Sequence, residues 1–293
     1  MGLVRKDTGS TKLSRPESQL KFMSATVSEE TLVIGDAPTT RNGRESESHS
    51  RTLVGLISSE PATGYSGVEE HSAPLHSFLE HSTLFLFPLL FGLNLYFGLT
   101  RLYELELLWL VALGILLGVV FGDLVTGIVH WIGDTYFCEE TPIIGPGFVK
   151  PFRQHHVYPR DICTHNLVTT LGNSCIIAVP ALSFCLYLLL TGPVSGWIAF
   201  TVLFVTILAI ATVATNQFHK WAHAPESSTL VRWLQRRRLV LEPSHHEIHH
   251  TTPHDSHYCI TNGWLNPLLN KIKFFRRLEG FLSWFGIKPA RSE

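Results

Sequence analysis

Two neighbouring runs constrain this chain most. LVTTLGNSCIIAVPALSFCLYLLL (Leu167–Leu190) and VSGWIAFTVLFVTILAIATVATNQ (Val194–Gln217) carry no charged residue. Each exceeds the roughly 20 residues with which a helix crosses a bilayer core. A helix buried in a soluble bundle keeps a polar stripe facing water, and these runs have none. Two earlier stretches extend the pattern. TLFLFPLLFGLNLYFGL (Thr83–Leu99) is uncharged, and ELLWLVALGILLGVVFG, starting at Glu106, runs on through DLVTGIVHWIGD. The expectation is four membrane spans, near 83–99, 106–130, 167–190 and 194–217, with a kink at Pro180. Charged residues make up only 16% of the chain, below the roughly 25% of a soluble domain. A net charge of −1 excludes a broad nucleic-acid surface. Five cysteines at irregular spacing, with no CxxC, predict neither a disulfide framework nor a thiolate zinc finger.

Residues 1–80 are rich in Ser, Thr, Gly and Glu and read as a disordered tail. The opening MGLVRKDTGSTKLSRPESQL lacks the apolar core of a signal peptide, and Lys6 stands where a myristoylation site wants Ser or Thr. An early transit peptide is opposed by Glu29, Glu30, Glu45 and Glu47. Residues 81–290 form the transmembrane domain.

Histidine is the second constraint. Six histidines fall within the thirteen residues from His245 to His257, in HHEIHHTTPHDSH. Residues four apart share a helix face. HKWAH therefore pairs His219 with His223, and HHEIHH pairs His245 with His249 and His246 with His250. GDLVTGIVHWIGDT sets Asp123, His130 and Asp134 on one stripe, and QHH adds His155 and His156. With four spans, all these groups reach the same side of the membrane. That side also carries Lys150, Arg153, Arg160, Lys220, Arg232, Arg236, Arg237, Arg238, Lys271, Lys273, Arg276 and Arg277, whereas the opposite links hold only Arg101. The positive-inside rule makes the histidine side cytosolic. The segments 146–156 and 230–241 have the composition of interfacial helices. The fold class is all-α: an integral membrane four-helix transmembrane bundle with a cytosolic histidine-rich helical cap.

One catalytic zinc needs about three protein ligands. Roughly eight histidines from these motifs, with the nearby carboxylates, exceed what one zinc needs and are enough for two metals. Imidazole suits Fe, Zn, Cu or Ni. Two irons beside apolar helices would activate O2 against an unactivated C–H bond, which acid–base groups alone cannot break. Asp123, Asp134, Glu247 and Asp255 are candidate further ligands or ligand-orienting groups. Asp123 stands out because an ionisable group in a span is costly. A metal transporter would place ligands near mid-membrane, and a haem protein would use only an axial pair. Both leave most of these histidines unexplained.

GDLVTGIVHWIGDT, PFRQHH, THN, NQFHKWAH, HHEIHHTTPH and YCITNGWLN together resemble the Kua-type lipid desaturases, from about Gly122 to Pro289. That family includes plasmanylethanolamine desaturases and the bacterial CarF proteins. The resemblance implies a membrane di-iron enzyme with no catalytic group beyond its metal ligands. It would form the vinyl-ether C1–C2 double bond in the sn-1 alkyl chain of plasmanylethanolamine, giving a plasmalogen. It would use O2 and electrons from a cytochrome b5-type donor, at the endoplasmic reticulum. By motif, the resemblance puts the ligand set on His130, His155, His156, His219, His223, His246, His249 and His250; His165 and His254 match the plasmalogen-forming branch, and they and His245 are left as further ligands or ligand-orienting groups. The fatty acid desaturase 4 type, which acts on phosphatidylglycerol in plastids, shares the core histidines but differs around THN and PHD. It defines the alternative, an acyl-lipid desaturase.

Overall fold

A computed structural model describes residues 74–142 and 144–290. The expected tail lies almost wholly outside the described residues. Its last residues do not: helix α1 spans Pro74–Glu104, so 74–80 belong to a helix and not to the tail. Proline at the first helical position explains the start, because its missing N–H would have had no partner there. Helix α2 spans Trp109–Thr135, α4 Leu167–Thr191 and α5 Gly196–His223. These four are long and apolar enough to cross a membrane. Each is as long as the expected span or longer, and α4 runs through Pro180 as one helix. Phe85, Ile177 and Trp197 are each 78% exposed. Such large side chains are stable outside the bundle only in an apolar solvent.

Helix α5 is the hub. It packs along α2 and also against α4 and α1, while α1 packs mainly on α4. The α2–α5 seam is made by small residues. A methyl group at Gly114, Gly118 or Gly122 would lie 2.9 Å from Leu203, 2.6 Å from Ile207 and 2.6 Å from Ala211 respectively. Glycine every fourth residue lets two backbones approach closely inside a bilayer, where there is no hydrophobic drive to bring helices together. Because 114, 118 and 122 meet 203, 207 and 211 in order, α2 and α5 run parallel. Both therefore finish on the same side, and this is what brings His130 beside His219. Buried Asn94 ties α1 to α4 through its amide, which donates to the Leu182 carbonyl at 2.9 Å. The α4 and α5 N-termini are capped by Asn166 and Ser195, whose side chains accept from Thr169 and Ile198 N–H.

Short elements cap this end. A π-turn at Gly145–Val149 leads into α3, Lys150–Val157. A 3-10 turn at Asp161–Thr164 precedes α4. Beyond α5 come α6 (Thr229–Arg236), α7 (Pro243–Glu247), α8 (Asn266–Lys271) and α9 (Phe274–Trp284). Trp131, Tyr258, Cys259, Leu269 and Phe275 form one apolar cluster that joins the end of α2 to α8, α9 and the loop between α7 and α8. The Trp131 indole donates to Glu279 at 3.0 Å, a second tie between α2 and α9. The π-turn and α3 thus rest on α2, and the 3-10 turn and α7 on α5.

Candidate metal centre

Four elements bring histidines to one place. Helix α2 presents His130 and Asp134, one turn apart, and α5 presents His219 and His223, also one turn apart. Helix α3 brings His155 and His156 in its last turn. The turn leaving α7 brings His246, His249 and His250. That turn stays helical past Glu247, since the N–H groups of both His249 and His250 point to the His246 carbonyl.

The side chains sort into two groups. His155, His219, His223, His246 and His250 make one, and His130, Asp134, His156 and His249 the other; in each, the ligand atoms all lie within 4.8 Å of one another. Two adjacent pairs are divided between the groups: His155 and His250 go to the first, His156 and His249 to the second. Successive residues on a helix point about 100° apart, so one turn of chain can serve two neighbouring centres. The ring centroids of His249 and His250 are 5.6 Å apart.

The donors fit metal ions. In the first group Nε2 atoms face one another: His219–His246 at 2.8 Å, His155–His223 at 3.0 Å, His246–His250 at 3.0 Å and His219–His223 at 3.2 Å. A neutral imidazole nitrogen either donates one proton or offers one lone pair. His219, His223 and His246 each make two of these contacts with a single Nε2, so protons cannot satisfy the set. A shared cation can. Bonds of about 2.1 Å at right angles put neighbouring nitrogens about 3.0 Å apart, against about 3.4 Å for a tetrahedron; the observed spacings match the former. In the second group, Asp134 Oδ2 lies 3.3 Å from His130 Nε2, 3.4 Å from His249 Nε2 and 3.7 Å from His156 Nε2. Both Asp134 oxygens and His130 Nε2 are buried without a hydrogen bond. A buried carboxylate with this surrounding is expected to be paired or to bind a metal.

Backbone carbonyls hold two of these rings. His130 Nδ1 donates to the Tyr258 carbonyl at 3.1 Å and His249 Nδ1 to the Ser256 carbonyl at 2.8 Å. With the proton fixed on Nδ1, the Nε2 lone pair faces the centre. His254 stacks flat on His156, with centroids 4.4 Å apart, and approaches the His249 carbonyl through Nδ1 at 3.1 Å. Burial, then neighbouring histidines, push His155 and His156 down to about 2 and His250 to about 3, and His246 well below its ordinary value. These four imidazoles are therefore neutral at physiological pH. A stability prediction follows. The unfolded chain takes up protons near 6.5 while these folded rings do not, so the fold is destabilised as pH falls below 6.5. The chelator-treated protein should have a lower Tm at pH 5 than at pH 8; equal values would contradict it.

The remaining candidates lie elsewhere. Asp123 is fully buried, yet it faces backbone, not the histidines. Its Oδ1 accepts from the N–H groups of Thr261, Asn262 and Gly263 at 3.2, 3.1 and 3.0 Å, and its Oδ2 from Leu265 at 3.1 Å. This corrects the expectation that it joins the ligands. The cost of an ionisable group in a span is offset here by four N–H donors. His245 does not pair with His249; its Nε2 is 3.0 Å from the Asn266 amide and its ring packs on His257. His165 lies outside both groups, its carbonyl accepting from the Lys220 ammonium. Glu247 is exposed, and Asp255 forms an ion pair with Arg276. Sequence reasoning missed Ser256 and Tyr258, whose backbone carbonyls hold the His249 and His130 rings, because no side-chain pattern signals a carbonyl's role.

Residues 119–292 match the lipid desaturase domain family. The plasmanylethanolamine desaturase of Myxococcus xanthus is 42% identical over 63% of this chain and 65% of its own length. Plasmanylethanolamine desaturase 1 of Mus musculus is 37% identical, over 63% of this chain and 69% of its own. The chloroplastic fatty acid desaturase 4-like 1 of Arabidopsis thaliana is 34% identical over 62% and 60%. The chain thus spans about two thirds of the length of the curated relatives it matches. No solved structure matches it. The match over residues 119–292 covers more than half of the chain, and the chain belongs to the lipid desaturase family.

Proposed function

We propose that this protein is a plasmanylethanolamine desaturase. It removes two hydrogens, from C1 and C2 of the sn-1 alkyl ether chain, and leaves a vinyl ether. O2 is reduced to two waters, with two electrons from a cytochrome b5-type donor and two protons making up the balance. The observation that carries the reading is the pair of adjacent nitrogen-rich groups at one end of an apolar bundle. We assign iron to both groups on the ligand number and the near-right-angle spacing of the nitrogens. His155, His219, His223, His246 and His250 would hold one ion, and His130, Asp134, His156 and His249 the other. The bound ions would supply the oxidising chemistry that breaks the C–H bonds. The protein's own part is to keep the imidazoles neutral, fix their lone pairs through the Ser256 and Tyr258 carbonyls, and hold the site dry beneath the cap.

The arginine- and lysine-rich histidine side supports a cytosolic orientation, and the two plasmanylethanolamine desaturases support the substrate. Endoplasmic reticulum membrane is the proposed location. The test is expression in cells that make plasmanyl but not plasmenyl ethanolamine lipids, with lipid mass spectrometry for acid-labile vinyl-ether species. Their appearance is the expected result. Their absence, with the protein intact in the membrane and a reductase present, would reject the substrate. A new double bond in phosphatidylglycerol would then favour the chemistry named for the Arabidopsis relatives.

A further inference from the structure

The two carbonyls that hold His130 and His249 belong to peptide units whose other edge meets α8. His130 Nδ1 donates to the Tyr258 carbonyl at 3.1 Å, and the N–H of that same unit, carried by Cys259, donates to Asn266 Oδ1 at 2.9 Å. His249 Nδ1 donates to the Ser256 carbonyl at 2.8 Å, and the N–H of that unit, carried by His257, reaches Asn270 Oδ1 at 3.5 Å. Both units are trans, so their C=O and N–H point in opposite directions. Asn266 and Asn270 are four residues apart on α8 and share one of its faces. One short helix therefore grips both peptides from behind. Asn270 also lies 3.0 Å from the His257 ring through Nδ2.

Asn266 is the stronger link. It is buried, and every proton of its amide is used. A backbone N–H can only donate, so Oδ1 must face the Cys259 N–H, and this settles which end of the amide is nitrogen. Nδ2 then donates to the Cys259 carbonyl at 2.9 Å and to His245 Nε2 at 3.0 Å. The side chain thus pairs with both backbone groups of Cys259, as a neighbouring strand would. From the other side, Gly127 of α2 lets the same residue come close: a Cβ there would lie 3.2 Å from the Cys259 N and Cα. A line of hydrogen bonds runs from His130 through the 258/259 peptide and Asn266 to His245. It gives a use to the first histidine of HHEIHH, which belongs to neither metal group. Each bond in such a line polarises the next. An N–H engaged by Asn266 makes the Tyr258 carbonyl a stronger acceptor, and a stronger pull on Nδ1–H makes His130 Nε2 a better ligand.

The support is one-sided. Both rings held in this way belong to the group of His130, Asp134, His156 and His249. In the other group, His246 Nδ1 and His250 Nδ1 are buried and make no hydrogen bond. We propose that Asn266 and Asn270 are positioning residues for one of the two metal groups. They fix the 258/259 and 256/257 peptides, and through them the His130 and His249 rings, while His245 holds the Asn266 amide in place. The proposal rests on the reading of two metal ions. Its consequence is that α8 sets the ligand strength at one ion and leaves the other unaffected.

Metal binding and amide exchange test it without turnover. The full chain in detergent, stripped by chelator, is titrated with Co2+, and hydrogen exchange in residues 256–260 is followed by mass spectrometry. The wild-type chain should take up two ions. Asn266→Ala should weaken one of them about tenfold or more, leave the other within about twofold, and speed exchange in the loop. Asn270→Ala should weaken the same ion by less, because its bond to the peptide is longer. If Asn266→Ala does not fold, Asn270→Ala carries the test. His223→Ala touches only the first group and should weaken the ion that Asn266→Ala spares, so the double variant should hold neither tightly. Folded asparagine variants that weaken both ions equally, or neither, would overturn the proposal and leave the metal reading intact. A wild-type chain that binds no Co2+ would overturn the metal reading, and the role of the asparagines with it.

Discussion

His249→Ala will strip the second histidine group of its most enclosed ligand and lower turnover by at least about a hundredfold, taking metal content down with it. The ring is 0% exposed and lies between His156 Nε2, at 2.9 Å, and Asp134 Oδ2, at 3.4 Å. Alanine leaves the Asp134 carboxylate buried with one fewer polar neighbour, which a low-dielectric site does not tolerate. It also frees the Ser256 carbonyl that the ring fills. Membrane insertion should be unaffected, since the residue lies outside all four apolar helices. Metal per chain by elemental analysis and vinyl ether by mass spectrometry give the result. Wild-type values of both would mean that the grouping of these side chains has no bearing on a metal.

Asp123→Asn should act at a distance. The new amide keeps one oxygen for the Thr261, Asn262 and Gly263 N–H groups but turns its other end into a donor against the Leu265 N–H. Losing the ionic acceptor and leaving a buried donor unmatched costs about 2–3 kcal/mol. The loop so released is continuous with Ser256 and Tyr258, whose carbonyls fix the His249 and His130 rings. The expected outcome is a lower Tm, faster proteolysis in residues 256–265 and metal affinity reduced about tenfold or more. A variant with wild-type melting and metal content would show that the carboxylate does not pin the loop.

The sequence alone determined the membrane spans and the concentration of imidazole at one side. Hydrocarbon solvent demands long uncharged helices, and those are visible as runs. Helical periodicity likewise marked His130 with Asp134 and His219 with His223, since a repeat of four fixes a shared face. The same rule held for His246 with His250 and misled for His245 with His249, and it did not show that Asp123 faces a loop. Periodicity says which residues share a face but not what that face meets. His245 turns toward Asn266 and His257, and Asp123 meets a loop more than a hundred residues away in the chain. Only the tertiary structure divided His155 from His156 and His249 from His250, and only it drew Asp134 in as the single carboxylate among them. That division depends on how α3 and the α7 turn are set against the ends of α2 and α5. Their setting follows from the glycine seam, the Asp123 clamp and the Trp131–Glu279 bond, each a contact between segments far apart in the chain.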